Sequence, residues 1–190
     1  MASLVETVLQ ALWLMLPAYL ANMAPVLVGG GTPIDGGRNW KDGRRILGDG
    51  KTWRGLLLPP FLVAAAIVGL HYAAQTEALR NLGWSSFGPT AVVAGVLGFA
   101  IALGALVGDA VESFFKRRLN KKRGEAWFPF DQLDFVVGGL LFGLLAATIL
   151  QVVGATAGNV FLEIYQVPHL IVIFILTPLL HFLVNVIGYF

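Results

Sequence analysis

Five intervals of this 190-residue chain run without a charged residue for long enough to cross a bilayer, lying between Glu6 and Asp35, Arg54 and Glu77, Arg80 and Asp109, Asp134 and Glu163, and from Ile164 to Phe190. About 20 apolar residues in a helix span a hydrocarbon core roughly 30 Å thick. The chain is therefore read as an all-α polytopic membrane protein, with five transmembrane helices joined by Gly-rich and basic cytoplasmic loops, and as one domain over residues 1–190. Composition agrees: only 13% of the residues are charged, against about 25% in an average soluble domain. The first interval is too long for the apolar core of a signal peptide and lacks a basic leader, so it is counted as a span. Its Pro17 and Pro25 predict kinks or a broken helix. Without cysteine the chain has no disulfide framework, thiolate metal site or nucleophilic thiol.

Orientation follows from the bases. Of 13 Lys and Arg, six (Arg38, Lys41, Arg44, Arg45, Lys51, Arg54) lie in the first loop and six (Lys116, Arg117, Arg118, Lys121, Lys122, Arg123) in the third, leaving Arg80 in the second and none in the fourth. This alternation places both basic loops and the carboxyl terminus in the cytoplasm and the amino terminus outside. The cytoplasmic face then carries a positive field suited to polyanions or anionic lipid, and no nucleic acid is expected as a partner.

The stretch Gly108 to Gly138 sets acids between two apolar runs. A carboxylate near hydrocarbon costs several kcal/mol unless it is paired, hydrated or bound to a cation. If the helix upstream continues to Lys122, Asp109, Glu112, Ser113, Lys116 and Arg117 share one face at 3.6 residues per turn. After a bend at Pro129, Asp131 and Asp134 follow at i, i+3 and could face the first set across a hairpin. A cytoplasmic anchor with a Glu112–Lys116 pair would explain the bases. It would not explain Asp109, which lies among apolar and small residues.

The first loop, Gly29 to Gly55, is rich in glycine and bases. Glycine lets backbone amides approach an anion closely, and Lys and Arg supply charge, so this composition suits a phosphate cradle. Gly50, Lys51 and Thr52 form a GKT tripeptide without the spacing or the preceding strand of a P-loop. A solvated positive-inside connection remains the alternative reading. A bound triphosphate needs a divalent cation, which Asp109 and Asp131 could hold through oxygen, and bases for the remaining charge.

Together GKTWRG (Gly50 to Gly55), GDAVESFFKR (Gly108 to Arg117) and DQLD (Asp131 to Asp134) resemble the cytidylyltransferases that make CDP-activated lipid. The bacterial phosphatidate enzymes look alike at Lys51, Thr52, Gly55, Gly108, Asp109, Glu112, Ser113, Lys116, Arg117, Asp131 and Asp134. Arg54, Arg123, Gln132 and Phe135 depart from that pattern. With GGGTPID (Gly29 to Asp35) and DGRRILGDGKT (Asp42 to Thr52), nearly the whole chain is more similar to the short archaeal relatives, the CDP-archaeol synthases.

The resemblance implies transfer of a cytidylyl group from CTP to 2,3-bis-(geranylgeranyl)glycerol 1-phosphate, an ether-lipid phosphate taken from the bilayer. It implies Mg²⁺ on Asp109 and Asp131, with Asp134 and Glu112 as neighbours or ligands of a second cation. Lys51, Thr52, Lys116, Arg117 and Arg45 are expected at the phosphates, Glu112 beside the nucleotide, and Asp109, Asp131 and Lys116 in the chemistry. A groove between spans, open to lipid, should hold the isoprenoid chains. A CDP-alcohol phosphotransferase and an ion-coupled transporter are the rival classes. The first expects a D-G-x-x-A-R signature that Asp42 to Arg45 do not supply, and the second usually places its acids near the bilayer midplane. His181, Asn185 and Trp84 are read as interhelical or interfacial groups, and the glycines of the third and fourth spans as sites of close packing.

Overall fold

The computed structural model describes residues 3–81, 86–122 and 125–187, which are helical apart from connecting turns and two isolated β-bridges. Trp84 and Arg123 fall outside the described residues, as do the side chains of Arg80, His181 and Asn185. The helices are α1 (Leu4–Val28), α2 (Trp53–Ala73), α3 (Glu77–Asn81), α4 (Ala91–Arg118), α5 (Phe130–Val152), α6 (Val160–Ile164) and α7 (Val167–Ile187). Among the described residues α1, α2, α4 and α5 are long and apolar enough to cross a membrane, and the described apolar part of α7 is Val167–Leu180. Each of the five uncharged intervals thus contributes one long helix. The outward faces of α2, α5 and α7 expose Phe61, Leu62, Leu141, Leu145, Ile171 and Ile175, as lipid contact requires.

Helix starts follow local capping chemistry. Ser3 and Glu6 form a reciprocal capping box on α1, while Thr52 and Thr90 cap α2 and α4 through bonds from Gly55 N (3.1 Å) and Val93 N (3.2 Å). Pro17 and Pro25 do not break α1, which runs as one helix through both. Pro17 is fully buried, and the helices packed around it hold the geometry that its missing N–H would otherwise loosen.

The centre of the bundle is α4, which packs on α1, α2 and α5. Its approach to α5 is set by glycines: a Cβ on Gly104 would collide with the Gly138 carbonyl, and one on Gly108 with the Asp134 carbonyl. Small residues of this kind let membrane helices meet backbone to backbone. The contact at Gly108 draws Asp109 and Asp134, on neighbouring helices, to the same place. On the opposite side α7 and the turn before it are tied to α1 by Tyr19 with Thr177 (2.8 Å), Tyr165 Oη donating to the Leu14 carbonyl (2.6 Å), and His169 with Gln10 (3.0 Å).

Candidate active site

Two elements build the site: the last turns of α4 with the first turns of α5, and the loop between α1 and α2. The loop is organised by Asp35, whose side chain is fully buried. Its carboxylate accepts from the backbone N–H groups of Gly37 (3.0 Å), Leu47 (3.0 Å) and Gly48 (2.9 Å), and from Arg45 Nε (3.2 Å) and Nη2 (2.7 Å). Burial by itself would raise this carboxyl; the Arg45 fork and the three N–H donors outweigh it and hold Asp35 well below the usual carboxylate range. Gly48 has a φ of 99°, a left-handed conformation that glycine adopts without strain, and this turns its N–H onto Asp35.

The loop is clamped onto the end of α4 by Arg118. Its Nε lies 2.7 Å from Asp42 Oδ2, and its Nη2 donates to the carbonyls of Arg45 (2.5 Å) and Arg44 (3.2 Å). Arg44 returns a bond to the Arg118 carbonyl. The Arg118 guanidinium lies over the Phe114 ring at 4.7 Å, and Trp40 of the loop meets the same ring edge-on at 5.5 Å. Sequence reasoning gave no role to Asp35, Asp42 or Arg118. Asp35 was legible only as the acid that ends the GGGTPID stretch of a glycine-rich, basic loop.

Clamping brings Lys51 Nζ to 2.5 Å from Asp109 Oδ2. A cleft of ≈ 330 Å³ opens between loop and helix, lined by Arg45, Leu47, Gly48, Asp49, Gly50 and Lys51 on one side and by Asp109, Glu112, Ser113, Lys116 and Arg117 on the other. These last five are the residues expected on one face of the helix. Arg117 Nε is buried there with no hydrogen-bond partner. Arg45 lines the cleft, but its Nε and Nη2 meet Asp35 and its Nη1 lies 2.7 Å from Asp49 Oδ1. Thr52, expected at the phosphates, is buried as the cap of α2.

One oxygen from each of Asp109, Glu112 and Asp134 lies within 4.8 Å of the others. Asp131 is not part of this cluster: its Oδ2 accepts from Trp127 N (2.9 Å), and its Oδ1 lies 2.7 Å from Lys116 Nζ. Lys116 also lies 3.2 Å from Glu112 Oε1, so one ammonium stands between two carboxylates. Glu112 Oε1 and Asp131 Oδ1 are both buried, and the Lys116 ammonium is the group that meets them. Three carboxylates converging within 4.8 Å, met only by the ammonium groups of Lys51 and Lys116, leave an excess of negative charge that fits a hard divalent cation, which takes oxygen ligands.

Behind the acids, α4 and α5 frame an apolar groove of ≈ 710 Å³, lined by residues including Val111, Phe115, Phe130, Val137 and Leu141. Glu112 lines both groove and cleft, and Asp134 lines the groove. The acid cluster therefore stands where a polar cleft meets an apolar groove.

The model of the CarS-like CDP-archaeol synthase family matches residues 4–190. The chain belongs to this family. It is 49% identical over 176 residues to the CDP-archaeol synthase of Methanospirillum hungatei and 47% identical over 175 residues to that of Methanosphaerula palustris, covering 92% of this chain and 95% of the relative in both cases. The CDP-archaeol synthase of Thermococcus onnurineus is 46% identical over 144 residues, which is 76% of this chain and 79% of that protein. Among solved structures, an intramembrane enzyme for archaeal membrane lipid biosynthesis is similar with a TM-score of 0.63 and 37% identity, over 94% of both chains.

Proposed function

We propose that the chain is a CTP-dependent cytidylyltransferase of the cell membrane that converts 2,3-bis-(geranylgeranyl)glycerol 1-phosphate and CTP into unsaturated CDP-archaeol and pyrophosphate. The observation that carries this reading is the position of Glu112, which belongs at once to the polar cleft, the apolar groove and the acid cluster. A reaction joining a water-soluble triphosphate to a lipid phosphate needs such a junction.

In the proposed reaction an oxygen of the lipid phosphate attacks the α-phosphorus of CTP. The new O–P bond forms as the bond from the α-phosphorus to the β-phosphate oxygen breaks, and pyrophosphate leaves. No covalent enzyme intermediate is required, so positioning and electrostatics supply most of the acceleration. Lys51, Lys116 and Arg117 line the cleft and would bind the phosphates, with Lys51 exchanging Asp109 for a phosphate oxygen. Asp109, Glu112 and Asp134 would hold Mg²⁺, with Asp131 orienting Lys116 beside them. When bound, the cation supplies positive charge to the phosphates and the departing pyrophosphate. The groove keeps the isoprenoid chains in hydrocarbon while the head group reaches the acids.

An ion-coupled transporter would hold such acids near the bilayer midplane; here they lie in the last turns of α4 and the first turns of α5, next to a basic loop. The test is to incubate purified protein with Mg²⁺, the lipid phosphate and CTP labelled at the α-phosphate. Label should enter the lipid fraction with equimolar pyrophosphate release. Label that stays in the aqueous phase contradicts the reading.

A further inference from the structure

The cleft contains one acid that neither the cluster nor the phosphates account for. Asp49 lines it, and its side chain is 72% exposed. Asp109 and Glu112, the other carboxylates in the lining, both belong to the acid cluster. An extra negative charge in a cleft for a polyanion weakens binding unless it meets a positive or hydrogen-donating part of the ligand. Its pair with Arg45 gives no sufficient reason for it, because an exposed i, i+4 ion pair contributes little to stability. Arg45 is instead fixed from behind: buried Asp35 grips its Nε and Nη2, leaving Nη1 to hold Asp49 at 2.7 Å. The contacts from Asp35 through Arg45 direct this exposed carboxylate toward the loop side of the cleft, whose helix side carries Lys116 and Arg117. Leu47 is the apolar side chain in the same lining.

We infer that Asp49 reads the nucleobase, accepting a hydrogen bond from the exocyclic amine of cytosine. Cytosine presents an amino donor where uracil presents a carbonyl acceptor, and a carboxylate attracts the first and repels the second. A site built to bond one group rejects the analogue that lacks it far more strongly than an apolar pocket can. The triphosphate then points toward Lys51, Lys116 and the acid cluster, and the base toward Leu47 and Asp49. This inference rests on the transferase reading and adds the residue that selects the nucleotide.

The experiment measures pyrophosphate release from CTP and from UTP, at saturating lipid phosphate, for the native protein and for Asp49→Asn, Asp49→Ala and Asp49→Glu. The native protein should strongly prefer CTP. Asp49→Asn and Asp49→Ala should each lose about 10- to 150-fold in the CTP-to-UTP ratio of kcat/KM, the effect of one lost charge-assisted bond, mainly through the KM for CTP. Asp49→Glu should retain part of the preference. A ratio unchanged in both variants, or an equal loss on both nucleotides, overturns the base-reading role while leaving the transferase reading intact. No pyrophosphate from either nucleotide with the native protein overturns the transferase reading, and this inference with it.

Discussion

Lys51 Nζ and Asp109 Oδ2 lie 2.5 Å apart across 58 residues of sequence, and their pair joins the glycine-rich loop to the acid face of α4. Neither side chain is deeply buried, at 23% and 27% exposure, so either can exchange its partner without a large desolvation cost.

Asp109→Asn keeps size but removes a charge from the cluster. Turnover should fall at least about 100-fold, a loss of some 2.7 kcal/mol or more in transition-state stabilisation. Mg²⁺ should raise the thermal midpoint of the native protein, since a ligand that binds only the folded state stabilises it. That shift should shrink in the variant. An unchanged Mg²⁺ shift would remove Asp109 from the ligand set.

Gly108→Ala tests how the acids are brought together. The added methyl meets the Asp134 carbonyl, which is backbone and cannot rotate away, so α4 and α5 must separate. Overpacking of this kind costs about 1 to 3 kcal/mol, and activity should fall although no acid is altered. Gly69→Ala is the control, because a Cβ there meets nothing within 4 Å. Equal effects of the two changes on stability and turnover would contradict the role of the Gly108 contact.

Asp35 predicts a direction with pH. Its carboxyl in the folded loop lies below its unfolded value, so its stabilisation is complete above the ordinary carboxylate pKa of about 3.9 and is lost as pH falls through the lower folded value. Amide exchange at Gly37, Leu47 and Gly48 should stay protected at neutral pH and rise, beyond its intrinsic pH dependence, only in strong acid. Asp35→Asn should release the same amides at neutral pH, at a cost of about 1 to 3 kcal/mol, less than for a fully buried pair because Arg45 is partly exposed. Protection unchanged in Asp35→Asn would show that the loop is held by other means.

Single cysteines at Lys41, Asn81, Asn120 and Asn159 test the orientation read from the basic loops. Labelling from the cytoplasmic side should reach Lys41 and Asn120, and labelling from outside should reach Asn81 and Asn159. Lys41 and Asn120 on opposite faces would contradict the proposed topology.

The helices were legible from uncharged length, and the acid face of α4 from its period. Uncharged runs report burial in lipid, and Asp109, Glu112, Ser113, Lys116 and Arg117 recur with the helical turn, so all five reach the cleft. The glycines expected to pack do so at Gly104 and Gly138. The loop was less legible, since a turn built on one buried carboxylate has no period. Thr52 is an instance where a local signal was present: a threonine within a turn of the apolar run that starts at Leu56 suits an N-cap, and the structure uses it so. Asp131 and Asp134 share a helical spacing but part company, because Asp131 lies in the first turn and bends back to Trp127 N. Spacing reports the direction of Cβ, and the end of a helix decides the rest.

The central claim is that cleft and groove divide nucleotide from lipid, and one grid of steady-state rates tests it, varying CTP and lipid phosphate independently for Lys51→Ala and for Val137→Trp in the groove. Lys51→Ala should weaken CTP use by roughly 10- to 150-fold, the value of a lost charge-assisted contact, and leave the lipid dependence unchanged. Val137→Trp should alter the dependence on lipid and on its chain length with CTP affinity preserved. If Lys51→Ala changed the lipid preference and not the CTP dependence, the division between loop and groove would be wrong.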